Sequence, residues 1–167
     1  MAAPAAEIRG AEVPRDQVRG LMDGALAQAF GPRSDLFGLD IDLPKDQQAA
    51  RETLQSTAHC DALPISMLPM MVNVQRLRDA VLADAVLSAH NDLAKDLSGP
   101  VVVITGNGHA RKDWGAPSVL ARSAPELVQF SLGQSESGQP PNGTFDLVLD
   151  APAVERADPC EAFRTKS

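Results

Sequence analysis

The run Val101-Val102-Val103-Ile104-Thr105 followed by Gly106-Asn107-Gly108-His109 constrains the fold more than any other stretch of this chain. Successive β-branched residues without polar alternation describe a strand apolar on both faces, as in a central parallel strand with neighbours on each side. Such a strand predicts an α/β fold with a ligand site at its carboxyl end. There the glycine turn delivers His109, the glycines letting the backbone turn sharply and approach a ligand closely. A histidine in that position is suited to binding a metal or haem iron, or to moving protons. Arg111 and Lys112 follow at once and are suited to an anionic group such as a carboxylate or phosphate.

The length of 167 residues describes one domain with a substantial core. A formal charge of -7 argues against a nucleic-acid binder, and the absence of tyrosine argues against an aromatic platform for base stacking. No apolar run has the length of a membrane-spanning helix. The start, MAAPAAEIRGAEVPRDQ, lacks a basic segment followed by an apolar core, so as written the chain is expected in the cytoplasm, unless it is part of a longer precursor. Cys60 and Cys160 lie outside any CxxC pattern. They are either two buried thiols or a disulfide tying the C-terminal tail to the helical region. The tail, Asp158-Pro159-Cys160, has little else to anchor it, which favours the disulfide and with it an oxidising compartment.

Along the chain, residues 1–14 are rich in Ala and Pro and are expected to be disordered; 15–163 form the domain and 164–167 a tail. Apolar residues at helical spacing predict a helix from Arg15 to Phe30, stopped by Gly31-Pro32. A second helix is expected from Lys45 to Ala58, its charge-rich face solvated. A long helix follows Ser66, with an interruption near Pro69, and its stripe Met70, Val74, Leu77, Val81 and Ala85 reads as core. On the neighbouring stripe Gln75, Arg78 and Asp79 sit within an apolar arc, either as a structural network or as the lining of a pocket. Beyond the strand at 101–105, a short helix is expected at 118–122, strands at 127–132 and 145–150, and a polar loop at 133–143. Three strands are fewer than the ~5–6 of a mean sheet. The expected architecture is a mostly parallel sheet flanked by helices, with a helical insertion before the GNGH strand. That sheet is either small, or completed by a missing N-terminal part or by a second copy of the chain.

Four motifs occur in order: His59-Cys60-Asp61-Ala62-Leu63-Pro64, Gln75-Arg76-Leu77-Arg78-Asp79, Gly106 to Pro117 (GNGHARKDWGAP), and Asp158-Pro159-Cys160. Together they resemble the C-terminal part of the ChaN-like haem-binding uptake proteins of the Tiki superfamily. The resemblance implies an α/β domain in a bacterial lipoprotein or periplasmic protein concerned with haem iron uptake at the cell envelope, in association with membrane uptake machinery. Related Tiki proteins are metal-dependent proteases that use Gly-x-x-His motifs, and Gly106-Asn107-Gly108-His109 fits one such motif. The family's earlier half, with its Gly-Glu-x-His motif, has no counterpart here, and neither does the tyrosine associated with its haem ligation.

Three readings follow. In the first the chain binds haem or iron: His109 is the axial ligand, with His59 or a methionine as outside candidates, and Gly106, Asn107, Gly108 and Gln75 line the site. Arg111, Lys112 or Arg78 would meet the propionates, and Met67, Met70 and Met71 offer an apolar surface if they are not core. In the second, a divalent metal on His109, oriented by Asp113, serves a Tiki-like hydrolase; a catalytic metal takes about three protein ligands, and only His109 has a good context. In the third, the chain has no independent activity and pairs with another copy through its open sheet edge. The balance favours a binding protein over an enzyme. His90 reads as a surface residue near a helix end.

Overall fold

The computed structural model of the protein describes residues 7–23, 25–96 and 99–164. Residues 1–6 of the N-terminal segment and 165–167 of the tail lie outside the described residues. The chain order is α1 (Arg15–Asp23), α2 (Leu26–Phe30), α3 (Lys45–Ala58), a 3-10 turn (Ile65–Met67), α4 (Leu68–Asp96), α5 (Asn107–Ala110), α6 (Ala116–Ser123), β1 (Leu132–Glu136), β2 (Leu147–Ala151) and α7 (Glu161–Arg164).

The spine is α4, against which α1, α2, α3 and α6 all pack. Its first turn contains Pro69, which a helix tolerates where the backbone N–H has no intrahelical acceptor. The expected interruption is therefore a start: the 3-10 turn passes directly into α4. Val74, Leu77, Ala80 and Ala83 bury one side of α4 against Leu21, Leu26, Phe37, Leu39 and Leu120. The alanines keep neighbouring elements close, and Leu77 is wholly enclosed. The aromatic rings of Phe30 and Phe37 meet tilted at 5.0 Å, closing the end of this core near α2.

The packed region begins earlier than expected. Residues 7–14 carry no regular secondary structure, yet Val13 is a core residue and Arg9 pairs with Asp92 of α4 at 2.8 Å. The single helix expected over 15–30 is two, α1 and α2.

The fold is α/β with an incomplete sheet of two parallel strands, β1 and β2, in register from Leu132↔Leu147 to Glu136↔Ala151. Gly133 of β1 lies under Phe145: a Cβ there would stand 2.9 Å from the ring. The loop expected at 133–143 is thus partly strand, and the strand expected at 127–132 lies mostly before β1. The run 101–105 is corrected as well. It forms no ladder, and Val102 and Ile104 are 77% and 96% exposed. A strand apolar on both faces gains its stability from neighbours that complete hydrogen bonding and cover the side chains. Among the described residues no strand is hydrogen-bonded to it.

Cys60, just after α3, is disulfide-bonded to Cys160, with Cα atoms 5.5 Å apart and a sequence separation of 100. Closing so long a loop removes much denatured-chain entropy, and the Cys60→Ser/Cys160→Ser variant is expected to lose about 2–4 kcal/mol of stability in urea unfolding. Leu77→Ala should cost about 2–5 kcal/mol in the same assay, because the spine helix cannot close the resulting cavity without moving its neighbours. A loss under ~1 kcal/mol would show that α4 is not the centre of the core.

Candidate functional site

A cleft of about 520 Å3 opens between α3, α4 and the turn at α5. From α3 it receives Arg51, Leu54, Gln55 and Ala58, with His59 just past the helix end; from α4, Val72, Gln75 and Asp79; from the turn, Asn107, Gly108 and His109. Arg111, Trp114 and Asn142 complete the wall. Its volume is in the ~300–1,000 Å3 range of small-molecule sites. Positions 51, 54, 55 and 58 lie on one side of α3 by helical periodicity, so a helix without a fully buried residue still presents a coherent face to the cleft.

The turn has its shape for reasons partly different from those expected. Neither Gly106 nor Gly108 has a positive φ, and a Cβ on either would meet nothing. The chain reverses through the short helical turn α5, not through glycine-only geometry. The glycine that is required is Gly115, where a Cβ would stand 2.3 Å from the His109 carbonyl oxygen. Gly108 contributes an open surface on the cleft wall. Asn107 holds the turn to the sheet: its amide donates to the Gln134 carbonyl at 2.8 Å and accepts from the Gln134 N–H at 3.0 Å. The Lys112 N–H donates to the Thr144 carbonyl at 2.8 Å, and Asp146 joins the Lys112 ammonium to the Ser131 N–H.

The central pair is His109 and Asp79. His109 Nδ1 lies 2.7 Å from Asp79 Oδ1, and Asp79 is 4% exposed. Burial pushes the Asp79 carboxyl up from the ordinary aspartate range, while its hydrogen bond to His109 and the nearby charges of His109, Arg51 and Arg111 pull it back down. With Asp79 ionised, the carboxylate accepts the Nδ1 proton and leaves Nε2 of a half-buried ring as the basic atom. A carboxylate behind an imidazole in this way fixes the ring's tautomer and raises its strength as a ligand.

Arg111 is buried, and its guanidinium is held bidentately by Asp113 while lying 4.0 Å from the Trp114 ring centroid. Asp113, the expected orienting partner of His109, therefore pairs with Arg111; Asp79 takes the orienting position. Arg51 lies 5.1 Å from the same ring. Burial draws its guanidinium down to about 10, with Asp79 opposing the shift and Arg76 and Arg111 adding to it. Arg51 Nε and Gln55 Oε1 are buried with no partner among the described residues.

The remaining expected site residues divide. Gln75 and His59 line the cleft, and His59 Nδ1 lies 2.8 Å from the Gln55 carbonyl oxygen. Arg78 is exposed and does not line it, because one residue's rotation along α4 turns it away from Asp79. Lys112, Met67, Met70 and Met71 are also absent from the lining, as is His90, which is exposed. Arg51 and Trp114 were missed as site residues. Arg51 sits on a face that reads as solvated, and the signal that could have found it is its helical spacing to Leu54, Gln55 and Ala58.

These elements define an α/β domain with a cleft organised by an imidazole–carboxylate pair and flanked by guanidinium groups. The family model described as "Haem-binding uptake, Tiki superfamily, ChaN" matches residues 2–120, well over half of the chain, and the chain belongs to that family. The match takes in the HCDALP, QRLRD and GNGHARKDWGAP motifs and ends before β1, β2 and Cys160. No curated protein and no solved structure matches the chain.

The Arg111–Asp113 pair gives a signed pH dependence. The Arg111 hydrogen bond holds the Asp113 carboxyl below its ordinary 3.8, with the Thr144 N–H adding to this against partial burial. A depressed folded-state value contributes stability above the ordinary value and loses it as pH falls through the folded one. Asp113→Asn is therefore expected to be less stable than the parent near neutral pH, with the gap narrowing below pH 3.8. Urea midpoints measured across that range would show the convergence; a constant gap would assign the loss to packing instead.

Proposed function

We propose that this protein binds haem in the cleft between α3, α4 and α5, with His109 as the axial ligand through Nε2, and that it serves haem iron uptake at the bacterial cell envelope. The observation that carries the reading is the 2.7 Å contact between His109 Nδ1 and the buried Asp79 carboxylate. Haem brings four nitrogen ligands of its own, so one well-oriented imidazole from the protein suffices. Among the described residues no group of three or more His, Cys, Asp or Glu is arranged to hold a metal ion, so the divalent-metal alternative has less support here.

The chain's own residues have separable roles. Asp79 holds the Nδ1 proton and keeps the ring aimed. Leu54, Val72 and Trp114 supply apolar wall for a macrocycle, and Arg51, whose Nε has no partner among the described residues, supplies a cation for a propionate. Haem, when bound, would supply an iron centre able to take the imidazole as a ligand. The family's description gives haem-binding uptake; the envelope location and an association with membrane uptake machinery extend that description as part of this proposal, and a homodimer would be one way to complete the open sheet.

The test is a haemin titration read in two channels, the Soret band and the fluorescence of Trp114, the only tryptophan in a chain without tyrosine. Saturable Soret change with parallel quenching is expected. His109→Ala should abolish the Soret shift, and Asp79→Asn should weaken binding by about 10–100-fold through loss of ring orientation. An unchanged titration in His109→Ala would overturn the ligand assignment. Quenching without a Soret shift in the parent chain would mean that the cleft takes the macrocycle while the iron ligand lies elsewhere.

A further inference from the structure

Arg51, Asp79 and Trp114 line not one cavity but two. Behind the wall they share lies a second opening of about 210 Å3, bounded by the segment 37–44, α4 and α6. Three guanidinium groups border it: Arg51, Arg76 and Arg122. In a chain with net charge -7 this is a local reversal of sign.

The three cations are not equally engaged. Arg76 donates to the carbonyls of Gly38 and Ile41 at 2.9 and 2.6 Å, shaping the cavity's loop, and the acidic neighbours that act on it are Asp42 and Asp40. Asp42 also lines the cavity, while Asp79 holds His109. Arg122 has no hydrogen bond or ion pair among the described residues. Its guanidinium is nevertheless placed closely: it lies across Gly38, where a Cβ would come within 2.9 Å of its Nε. Gly38 has φ +68, so both its conformation and its lack of a side chain are used to let Arg122 lie there. Arg51 borders the cavity as well and has no ion pair among the described residues. Apart from Ser118, whose hydroxyl donates to the Gly115 carbonyl, the remainder of the wall is apolar, with Ile41, Leu43 and Val119.

We propose that this second cavity binds a small organic carboxylate, with its apolar body against Ile41, Leu43 and Val119 and its carboxylate between Arg122 and Arg51. Guanidinium groups with free donors match a carboxylate's planar pair of acceptors. The apolar wall favours an organic anion over a hydrated inorganic one. The volume, below the ~300 Å3 at which drug-sized sites begin, limits the ligand to roughly one ring or a short alkyl chain. The two openings share Arg51, Asp79 and Trp114, but neither His109 nor His59 borders this one, and Arg122 borders this one and not the haem cleft.

The experiment uses benzoate as the probe and inorganic phosphate as the comparison, titrated at constant ionic strength into the full chain. Ligand-observed NMR reports binding, and Trp114 fluorescence reports the shared wall. Saturable benzoate binding, about tenfold or more tighter than phosphate, is expected. Arg122→Gln should weaken it by about tenfold or more, as loss of a charge-assisted hydrogen bond does. Arg78→Gln, which removes an exposed cation elsewhere on α4, should leave benzoate binding unchanged. Arg122 is exposed, so its replacement is not expected to unfold the chain, and circular dichroism verifies this. Absence of saturable benzoate binding, equal binding of phosphate, or unaltered binding in Arg122→Gln would each overturn the proposal. Loss of benzoate binding in His109→Ala would also overturn it, by placing the anion in the haem cleft.

Discussion

The buried carboxylate of Asp79 is the constraint on which the rest of the site depends. It projects from the spine helix, carries almost no solvent contact, and has a hydrogen bond to His109, thirty positions further along the chain. A charge removed from water in this way is costly unless it is paired. The pairing joins two regions otherwise built by different physics: a helical assembly held by Leu, Val and Ala, and a turn held to a short sheet by Asn107, Lys112 and Asp146. The register of α4 against the turn is fixed where the chemistry is wanted. Replacing Asp79 leaves His109 without its orienting partner and changes the electrostatic surroundings of Arg51 at the same time.

Around Trp114 the cation arrangement has its own logic. Arg111 is closed off by Asp113 and stacks on the ring, so it acts as structure. Arg51 stacks more loosely, has no ion pair among the described residues, and is the guanidinium proposed to meet a ligand. Two arginines near one aromatic ring are thus divided into one that is paired and one that is not. The division follows from whether a carboxylate stands close by, which residue type alone does not disclose.

Much of the helical region was legible in the sequence. The Lys45–Ala58 boundaries hold because Pro44 cannot lie inside a helix and the His59-Cys60-Asp61 turn ends it, with Cys60 and Asp61 both in the left-handed region. The strands were harder. β1 buries Gly133 and Ser135, small residues that carry no apolar signal, while Val128 and Phe130 just before it are exposed. The run at 101–105 has the composition of a central strand but no ladder, since β-propensity expresses fit to neighbours as much as local preference. His109 and Gln75 were found because their contexts, a glycine-flanked turn and a polar residue in an apolar arc, are visible locally. For Arg51 the local signal is confined to its helical spacing to Leu54, Gln55 and Ala58, while the partnership of His109 with Asp79 instead of Asp113 depends on the packing of a helix against a turn, which no local pattern encodes.

The disulfide gives the site an uneven covalent topology. Cys60 to Cys160 closes a macrocycle that contains α4, the His109 turn and both strands, while α3 is attached to it as a branch beginning one residue before the bridge. One wall of the cleft therefore belongs to the ring and the other to the branch, and His59 stands at the branch point. A single backbone cut in the loop between β1 and β2 leaves both fragments in one molecule, so the cleft's components stay together after proteolytic nicking. A cut between α3 and Cys60 separates the two walls at once. A bond whose cutting divides the cleft thus lies at the cleft's edge, not in the loop between the two strands.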